Sequence, residues 1–345
     1  MKAILFKDIE KIELGKKEIP KISNSNEVLI KINSSGICGT DLRIFNGTFN
    51  AKKDVTLGHE AVGVVEEVGS KVTKFAKKDR VIIDPTLFDS DCYYCNRGKF
   101  NLCDNKVGKE VGVDMDGSFA EYIIMPDNFV YKIPDNMSFD KALLVEPLAC
   151  VLSNARACNL SVEDSVVVLG AGPIGLVFAM VAQKVAKNLT IVEKNSYRIE
   201  FAKKIFDNVL DSSDRSYKDI VKSINNNRKP NLVVDTTGVL LEDALEIVDK
   251  GGRIVLMGFN SKYRANISPL YITNNAIQII GAGDYNSVFS EAIALAENYE
   301  LETLITHKLS LEEYEKAFSM LMGYNINTKE PVEGNAMKIA FSFEE

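Results

Sequence analysis

No stretch of the chain approaches the roughly 18 uninterrupted apolar residues that a membrane-crossing helix requires. Positive charge is not in excess either: 41 lysines and arginines face 48 aspartates and glutamates, a net charge of −7. Nothing here would neutralise a run of phosphates, which excludes a nucleic-acid surface. The basic cluster KVTKFAKKDR (71–80) is short and interleaved with apolar residues, as a solvated face or a strand edge is. The N-terminal MKAILFKDIEKIELGKK offers a brief apolar run and then charge, which is no secretory signal. Internal repeats and low-complexity segments are missing. Cysteines number only six, three of them in one loop, a distribution that suits a reducing compartment better than a disulfide framework. Histidine is the scarcest ligand type, present only as His59 and His307. These absences leave the expectation of a soluble cytoplasmic protein that binds neither nucleic acid nor membrane.

What is present fits a two-domain protein. A chain of 345 residues can bury two cores, and 46% apolar with 26% charged content is ordinary for a globular protein. Up to about residue 130 the chain has short β-branched runs broken by turn residues: EVLIKI (27–32), AVGVVEEVG (61–69), DRVIID (79–84) and EYIIM (121–125). Such regular short strands predict a mostly-β domain, with a hairpin whose turn lies near Gly69 and Ser70. From 165 the rhythm changes to strands alternating with helical patterns: SVVVLG, PIGLVFAMVAQKVAK, LTIVEK, SYRIEFAKKIF, an amphipathic stretch near 215–226, NLVVDTT, LLEDALEIV, GGRIVLMGF and IQIIGAG. That alternation predicts a doubly wound parallel sheet and an α/β protein. The expected domains are 1–150 and 151–287, with 288–345 returning to the first.

Gly170, Gly172 and Gly175 form G-x-G-x-x-G directly after a buried strand and at the opening of a helix, with Pro173 and Ile174 in its first turn. In that context the glycines have mechanical sense: a tight turn, close backbone approach to a pyrophosphate, and helix-on-strand packing. The alternative is a tightened turn with no ligand. Glu193 ends the next strand, where a carboxylate accepts ribose hydroxyls, so NAD is favoured over NADP. Lys194 and Arg198 nearby could instead reach a 2′-phosphate. Asp235 to Gly238, including Thr236, and Leu256 to Gly258 lie at strand C-termini where a nicotinamide ring should rest.

A second group carries the chemistry. Cys38 in ICGTD, His59 and Glu60 in GHE, and Glu146 in VEPLAC offer thiolate, imidazole and carboxylate, all suited to zinc. Glu146 falls at the junction of the two halves. Zinc is a Lewis acid that favours alkoxide over alcohol and makes the carbinol hydrogen a better hydride donor. One thiolate and one carboxylate balance its two positive charges. If both glutamates bound, the site would be net −1 and a poorer acid, so one glutamate at a time is expected. His307 lacks a ligand-like neighbourhood and reads as structural. Cys150 and Cys158 read as core residues flanking a helix.

Taken together, CGTDLR, GHEAVGVVEEVG, the cysteine loop, DGSFAEYIIMP, VEPL, the glycine-rich turn and LITHKLSLEEYEKAF resemble the zinc-dependent medium-chain alcohol dehydrogenases, and their polyol, secondary-alcohol and threonine branch in particular. The resemblance covers nearly the whole chain. It implies a GroES-like catalytic domain followed by a Rossmann NAD-binding domain. It implies that Cys38 and His59 bind a catalytic zinc, with Glu60 and Glu146 as carboxylates beside it. It makes Thr40 the hydroxyl that takes the alcohol proton and Asp41 the carboxylate orienting the ligating histidine. Many relatives have histidine three residues after that hydroxyl, whereas this chain has Arg43. A guanidinium cannot accept a proton near neutral pH, so the proton would leave from Thr40 to cofactor ribose or water. Arg43 could instead bind an anionic substrate group or the cofactor pyrophosphate. A homotetramer is implied, with a dimer as the alternative.

The loop LFDSDCYYCNRGKFNLC has Cys92, Cys95 and Cys103 at ligand spacing, one short of a closed zinc site. Related enzymes space four cysteines C-x2-C-x2-C-x7-C, and counting back three from Cys92 lands on Asp89. Asp91 is the runner-up, and a loop of free thiols is the other alternative. A zinc there would be structural, with no position for substrate.

The expectation is therefore an NAD- and zinc-dependent dehydrogenase, with one catalytic and one structural zinc, oxidising a polyol or sugar-derived secondary alcohol to a ketone. Three alternatives stay open. One is an L-threonine 3-dehydrogenase or short-diol dehydrogenase using the same site. The others are a zinc-free quinone reductase-like enzyme and a non-catalytic NAD-binding redox sensor.

Overall fold

The computed structural model describes residues 1–106, 108–214, 219 and 228–343. The amphipathic stretch expected near 215–226 lies outside them but for Asp219. The chain divides into two compact units, Met1–Glu146 with Asn286–Glu345, and Pro147–Tyr285. Among the described residues no helix is long and apolar enough to cross a membrane.

The first unit is built on a seven-stranded sheet whose central strand is Glu27–Gly36. That strand pairs antiparallel with Glu60–Val68, with Tyr122–Pro126 and with the C-terminal strand Lys338–Ser342. Glu60–Val68 continues into Arg80–Ile83 as a hairpin. Its connection begins at Gly69, whose amide extends the ladder by donating to Glu27 O at 2.8 Å, and runs on to residue 79. The detour places Val72 and Phe75 in the core beside Val28, Ile30 and Val81. A second cluster, including Ile4, Phe45, Leu57, Phe119, Phe318 and Phe341, packs on the other side, with the Phe119 and Phe341 rings edge to face at 5.0 Å. Each such side chain contributes about 1.5–3 kcal/mol by leaving water.

One register decides which side chains can meet at the edge of this sheet. Gly36, the last residue of the central strand, lies opposite Glu60, the first of its neighbour. The chain leaving that edge runs into Cys38 and a short helix, Gly39–Phe45, and the chain arriving there carries His59. Antiparallel pairing thus delivers residues far apart in sequence to one end of the sheet.

The second unit has six parallel strands in the order Val209–Asp211, Asn188–Glu193, Ser165–Leu169, Leu232–Asp235, Arg253–Leu256, Gln278–Gly281. Numbered along the chain this is 3-2-1-4-5-6, the doubly wound arrangement of dinucleotide-binding folds. The inner strands VVVL and LVVD are apolar without alternation because both faces are covered. At the start of the inner strand Arg253–Leu256, the Arg253 guanidinium pairs with buried Asp164 and donates to the Asn159 carbonyl at 3.0 Å. Cys158 is fully buried, and burial pushes its thiol up to about 11. Cys150 does not flank a helix: it lies inside Val145–Ala157 and is half-buried, whereas Cys158 follows that helix.

Candidate active site

Cys38, His59 and Glu60 each offer a ligand atom within 4.8 Å of the others. Two adjacent strand ends explain the meeting, and Asp41 locks it. Asp41 is fully buried; its Oδ2 accepts from the Cys38 amide at 2.8 Å and its Oδ1 from the Gly58 amide at 3.3 Å. One carboxylate therefore ties both ligand-bearing segments together. It sits 4.0 Å from His59 Nδ1, an ionic contact beyond hydrogen-bond range. Gly58 has φ +89°, and a Cβ there would strike the Phe119 ring at 2.3 Å, so no other residue can present His59 this way. Thr40 Oγ1 lies 3.8 Å from Cys38 Sγ.

The donor set fits zinc. Sulfur, nitrogen and oxygen each belong to its ligand repertoire, and three protein ligands leave one tetrahedral position open. The electrostatic field agrees. Burial opposes a charged His59 ring, yet the Cys38 thiolate, Asp41 and Glu146 raise its proton affinity well above the ordinary value. The same negative charge favours a cation at this point. Burial also raises Asp41, with Glu60 adding repulsion and His59 and the Cys38 amide opposing.

Glu146 is buried, and its charge reaches His59, but its carboxylate is not part of the three-ligand group. Glu60 is in the group and is also bound from behind. Lys338 Nζ pairs with Glu60 Oε2, both side chains being almost wholly buried. Burial works against charge on Lys338, but Glu60, then Cys38 and Glu146, raise its proton affinity above the ordinary lysine value. Sequence reasoning missed Lys338. Its only signal was a lysine set in an apolar run, AMKIAF, where an exposed strand edge would be the ordinary reading.

Arg43 lies in the helix behind Cys38, its guanidinium turned toward Gly39, where a built Cβ would come within 3.0 Å of Nη1. Burial lowers its hold on the proton and the Cys38 thiolate raises it. His307 is on the strand Ile305–Leu309, with Nδ1 3.0 Å from Thr306 Oγ1, outside both ligand groups.

Asp89, Cys92, Cys95 and Cys103 form the second group, their ligand atoms also within 4.8 Å of one another. Asp91 is not in it. Asp89 Oδ1 accepts from the amides of Asp91 (3.0 Å) and Cys92 (3.3 Å), and Oδ2 from the Asn105 side chain. Those bonds, Asn105 first, hold its carboxyl well below the usual range. Cys92 Sγ accepts from the Cys95 and Asp104 amides, at 3.5 and 3.4 Å, which lowers its pKa. At Cys95 a backbone bond from Ser90 is outweighed: burial, then the neighbouring thiols, push it up to about 12. The loop is stapled by the Phe88–Phe100 stack at 4.3 Å and by Asn286, which bonds the Phe100 amide and the Gly98 carbonyl.

In the second unit, the strand Ser165–Leu169 turns through Gly170 into the helix Pro173–Val185, with Gly172 as its N-cap and Pro173 and Ile174 in the first turn. A Cβ at Gly175 would lie 2.1 Å from the Gly170 carbonyl, the close packing that the third glycine permits. At Gly172 a Cβ would touch only the end of the Arg198 side chain, with Nη1 3.6 Å away, so no backbone crowds that face of the turn. Thr236 Oγ1 donates to the Leu169 carbonyl at 2.8 Å, and Gly258 packs on Thr237 and Gly238, which brings Thr236, Leu256 and Gly258 to the same strand ends. Glu193 is more occupied than expected: Oε2 accepts from Ala171 and Oε1 from Lys194 and Asn195. A carboxylate has about four lone-pair sites, so one remains for a ribose hydroxyl.

Comparison with known proteins agrees with this architecture. Residues 24–135 match the family model of the alcohol dehydrogenase GroES-like domain, and 173–298 that of zinc-binding dehydrogenases. The chain is 30% identical over 334 residues to sorbitol dehydrogenase of Bacillus subtilis (strain 168), covering 94% of each. It is 32% identical over 320 residues to L-threonine 3-dehydrogenase of Colwellia psychrerythraea (strain 34H / ATCC BAA-681), covering 90% of this chain and 93% of that one. The crystal structure of a short chain alcohol dehydrogenase from E. coli CFT073, complexed with NADH, superposes with a TM-score of 0.89 at 28% identity, covering 99% of both chains.

Proposed function

Since the chain belongs to the zinc-dependent alcohol dehydrogenase family, we propose that it is an NAD-linked enzyme oxidising a secondary alcohol, of polyol or sugar-derived type, to a ketone. The observation that carries this is the convergence of Cys38, His59 and Glu60 on one point in a field that favours a divalent cation. Zinc bound there would polarise the substrate oxygen and ease loss of the carbinol hydrogen as hydride. Asp41 holds the two ligand segments in place. The Thr40 hydroxyl, beside Cys38, takes the alcohol proton and passes it to ribose or water. The glycine-rich turn and helix N-terminus carry the pyrophosphate, and the Glu193 carboxylate accepts from the ribose, where its charge repels a 2′-phosphate. Asp89, Cys92, Cys95 and Cys103 hold a second, structural zinc.

L-threonine and short diols are rival substrates for the same machinery, as the likeness to threonine dehydrogenases indicates. The decisive experiment is a rate panel across polyols, sugar-alcohol phosphates, short diols and threonine, with NAD or NADP, before and after chelation. Oxidation of a polyol with NAD, abolished by chelator and restored by zinc, is expected. Zinc-replete protein that turns over none of these alcohols would sink the reading. Six cysteines, none of them in a disulfide among the described residues, support a cytoplasmic site of action. A homotetramer is proposed from the family likeness. The edge strand Gln278–Gly281 and the exposed Leu270 and Tyr271 preceding it support contact between copies, which sizing by light scattering tests.

A further inference from the structure

A buried cation stands behind one of the two carboxylates, and the charge count explains why. Lys338 is 2% exposed and Glu60 1%. Their ion pair is built into the sheet, since the strand of Lys338 and the strand that opens with Glu60 both pair with Glu27–Gly36, near its end. Gly36 makes room for it: a Cβ there would lie 2.5 Å from Glu60 Oε2 and 3.0 Å from Lys338 Cε. Burying two charges is costly, and a cation retained at such depth needs a reason beyond packing. The Cys38 thiolate, Glu60 and Glu146 carry three negative charges, one more than zinc neutralises. Lys338 supplies the missing positive charge, and it feels all three of those groups.

We propose that Lys338 is a positioning residue that holds Glu60 by one oxygen, leaves the other for the metal, and neutralises the surplus negative charge, so that Glu146 stands near the three-ligand group without making the site net negative. This rests on the zinc-dehydrogenase reading. It keeps one glutamate, Glu60, in the ligand group and accounts for the charge of the second. Without Lys338 the site is net negative: zinc is held at least as tightly, but its pull on the substrate oxygen weakens.

The test compares Lys338→Met, Lys338→Arg and the double variant Glu60→Gln/Lys338→Met with the unaltered enzyme. Three quantities are read: zinc retention against a chromogenic chelator, the absorption bands of the cobalt(II)-substituted protein, and the pH profile of kcat/KM. In Lys338→Met, altered cobalt bands, undiminished zinc retention and an activity limb displaced about one unit to higher pH are expected, about a tenfold loss at neutral pH. Lys338→Arg restores the profile, and the double variant, neutral again, returns the limb to within a few tenths of a unit. Unchanged cobalt bands and an unmoved limb in Lys338→Met overturn the proposal. If that variant does not fold, the double variant decides, and a limb displaced by a unit or more overturns it. Unaltered enzyme that purifies without zinc and binds none sinks the zinc reading itself; zinc-replete enzyme with an inert Lys338→Met sinks only the role of Lys338.

Discussion

Around Cys38 three different ligand chemistries meet from two strand ends, whereas around Cys92 three thiols and a carboxylate meet within one loop of the same unit. The first group depends on sheet register and tight glycine packing; the second depends on local turns and on amides that already bond Asp89 and Cys92. The first has three ligands and room for a fourth group, the second has four and none. Open coordination serves chemistry and closed coordination serves stability. The same element should therefore fail differently when removed from each.

The largest effect is expected at the open group. Cys38→Ser removes the thiolate but keeps the shape, and kcat should fall about a thousandfold or more, the worth of several kcal/mol of transition-state stabilisation. The melting temperature should stay within a few degrees, because Asp41 still ties the Cys38 and Gly58 amides. Steady-state kinetics beside a thermal melt checks this, and a variant that melts early but retains turnover would erase the contrast between the groups.

The mirror experiment is Cys103→Ala. One equivalent of zinc should be lost by elemental analysis, and the melting temperature should drop by roughly 5 °C, since metal binding there is folding energy for the loop. Turnover per folded molecule, counted by active-site titration, should hold within about threefold. A thousandfold loss of turnover in correctly folded protein would make the loop part of the chemistry.

A gentler probe is Asp89→Cys. Sulfur is the softer ligand and suits zinc better than oxygen, so zinc should leave the loop about tenfold more slowly under chelator. Asn105 would lose its acceptor in exchange. Release at an unchanged rate would indicate that Asp89 does not ligate.

The loop and the glycine-rich turn were legible because their ligands are local: spacing alone brings Cys92 near Cys95, and the strand-turn-helix of 165–185 is continuous in sequence. The open group was legible only through recognisable segments, since nothing in CGTD or GHE says that register sets Gly36 opposite Glu60. Lys338 was not legible, because its partner lies 278 residues away in a strand pairing that no local pattern encodes. The extended 69–79 connection was likewise hidden, as its contacts are long-range: the Lys71 amide bonds Ser25 O, and Val72 and Phe75 enter the core.

The smallest effect concerns Arg43, the residue that most separates the open group from the closed one. In the loop, thiolate charge is met by neutral amides; at Cys38 it is met by a half-buried guanidinium beside Gly39. That guanidinium cannot take a proton, whereas an imidazole, with an ordinary pKa near 6.5, can. If proton release through Thr40 limits turnover, Arg43→His should raise kcat on a neutral polyol by about two- to fivefold near pH 8, well below the full worth of general-base catalysis because water already serves. If Arg43 instead grips an anion, the same change should leave that kcat alone. KM for a sugar-alcohol phosphate, or for the dinucleotide, would then rise about tenfold, as loss of one charge-assisted bond predicts. Measuring all three constants separates the roles: movement in kcat alone assigns the proton path, movement in one KM names the anion, and no movement in any excludes both.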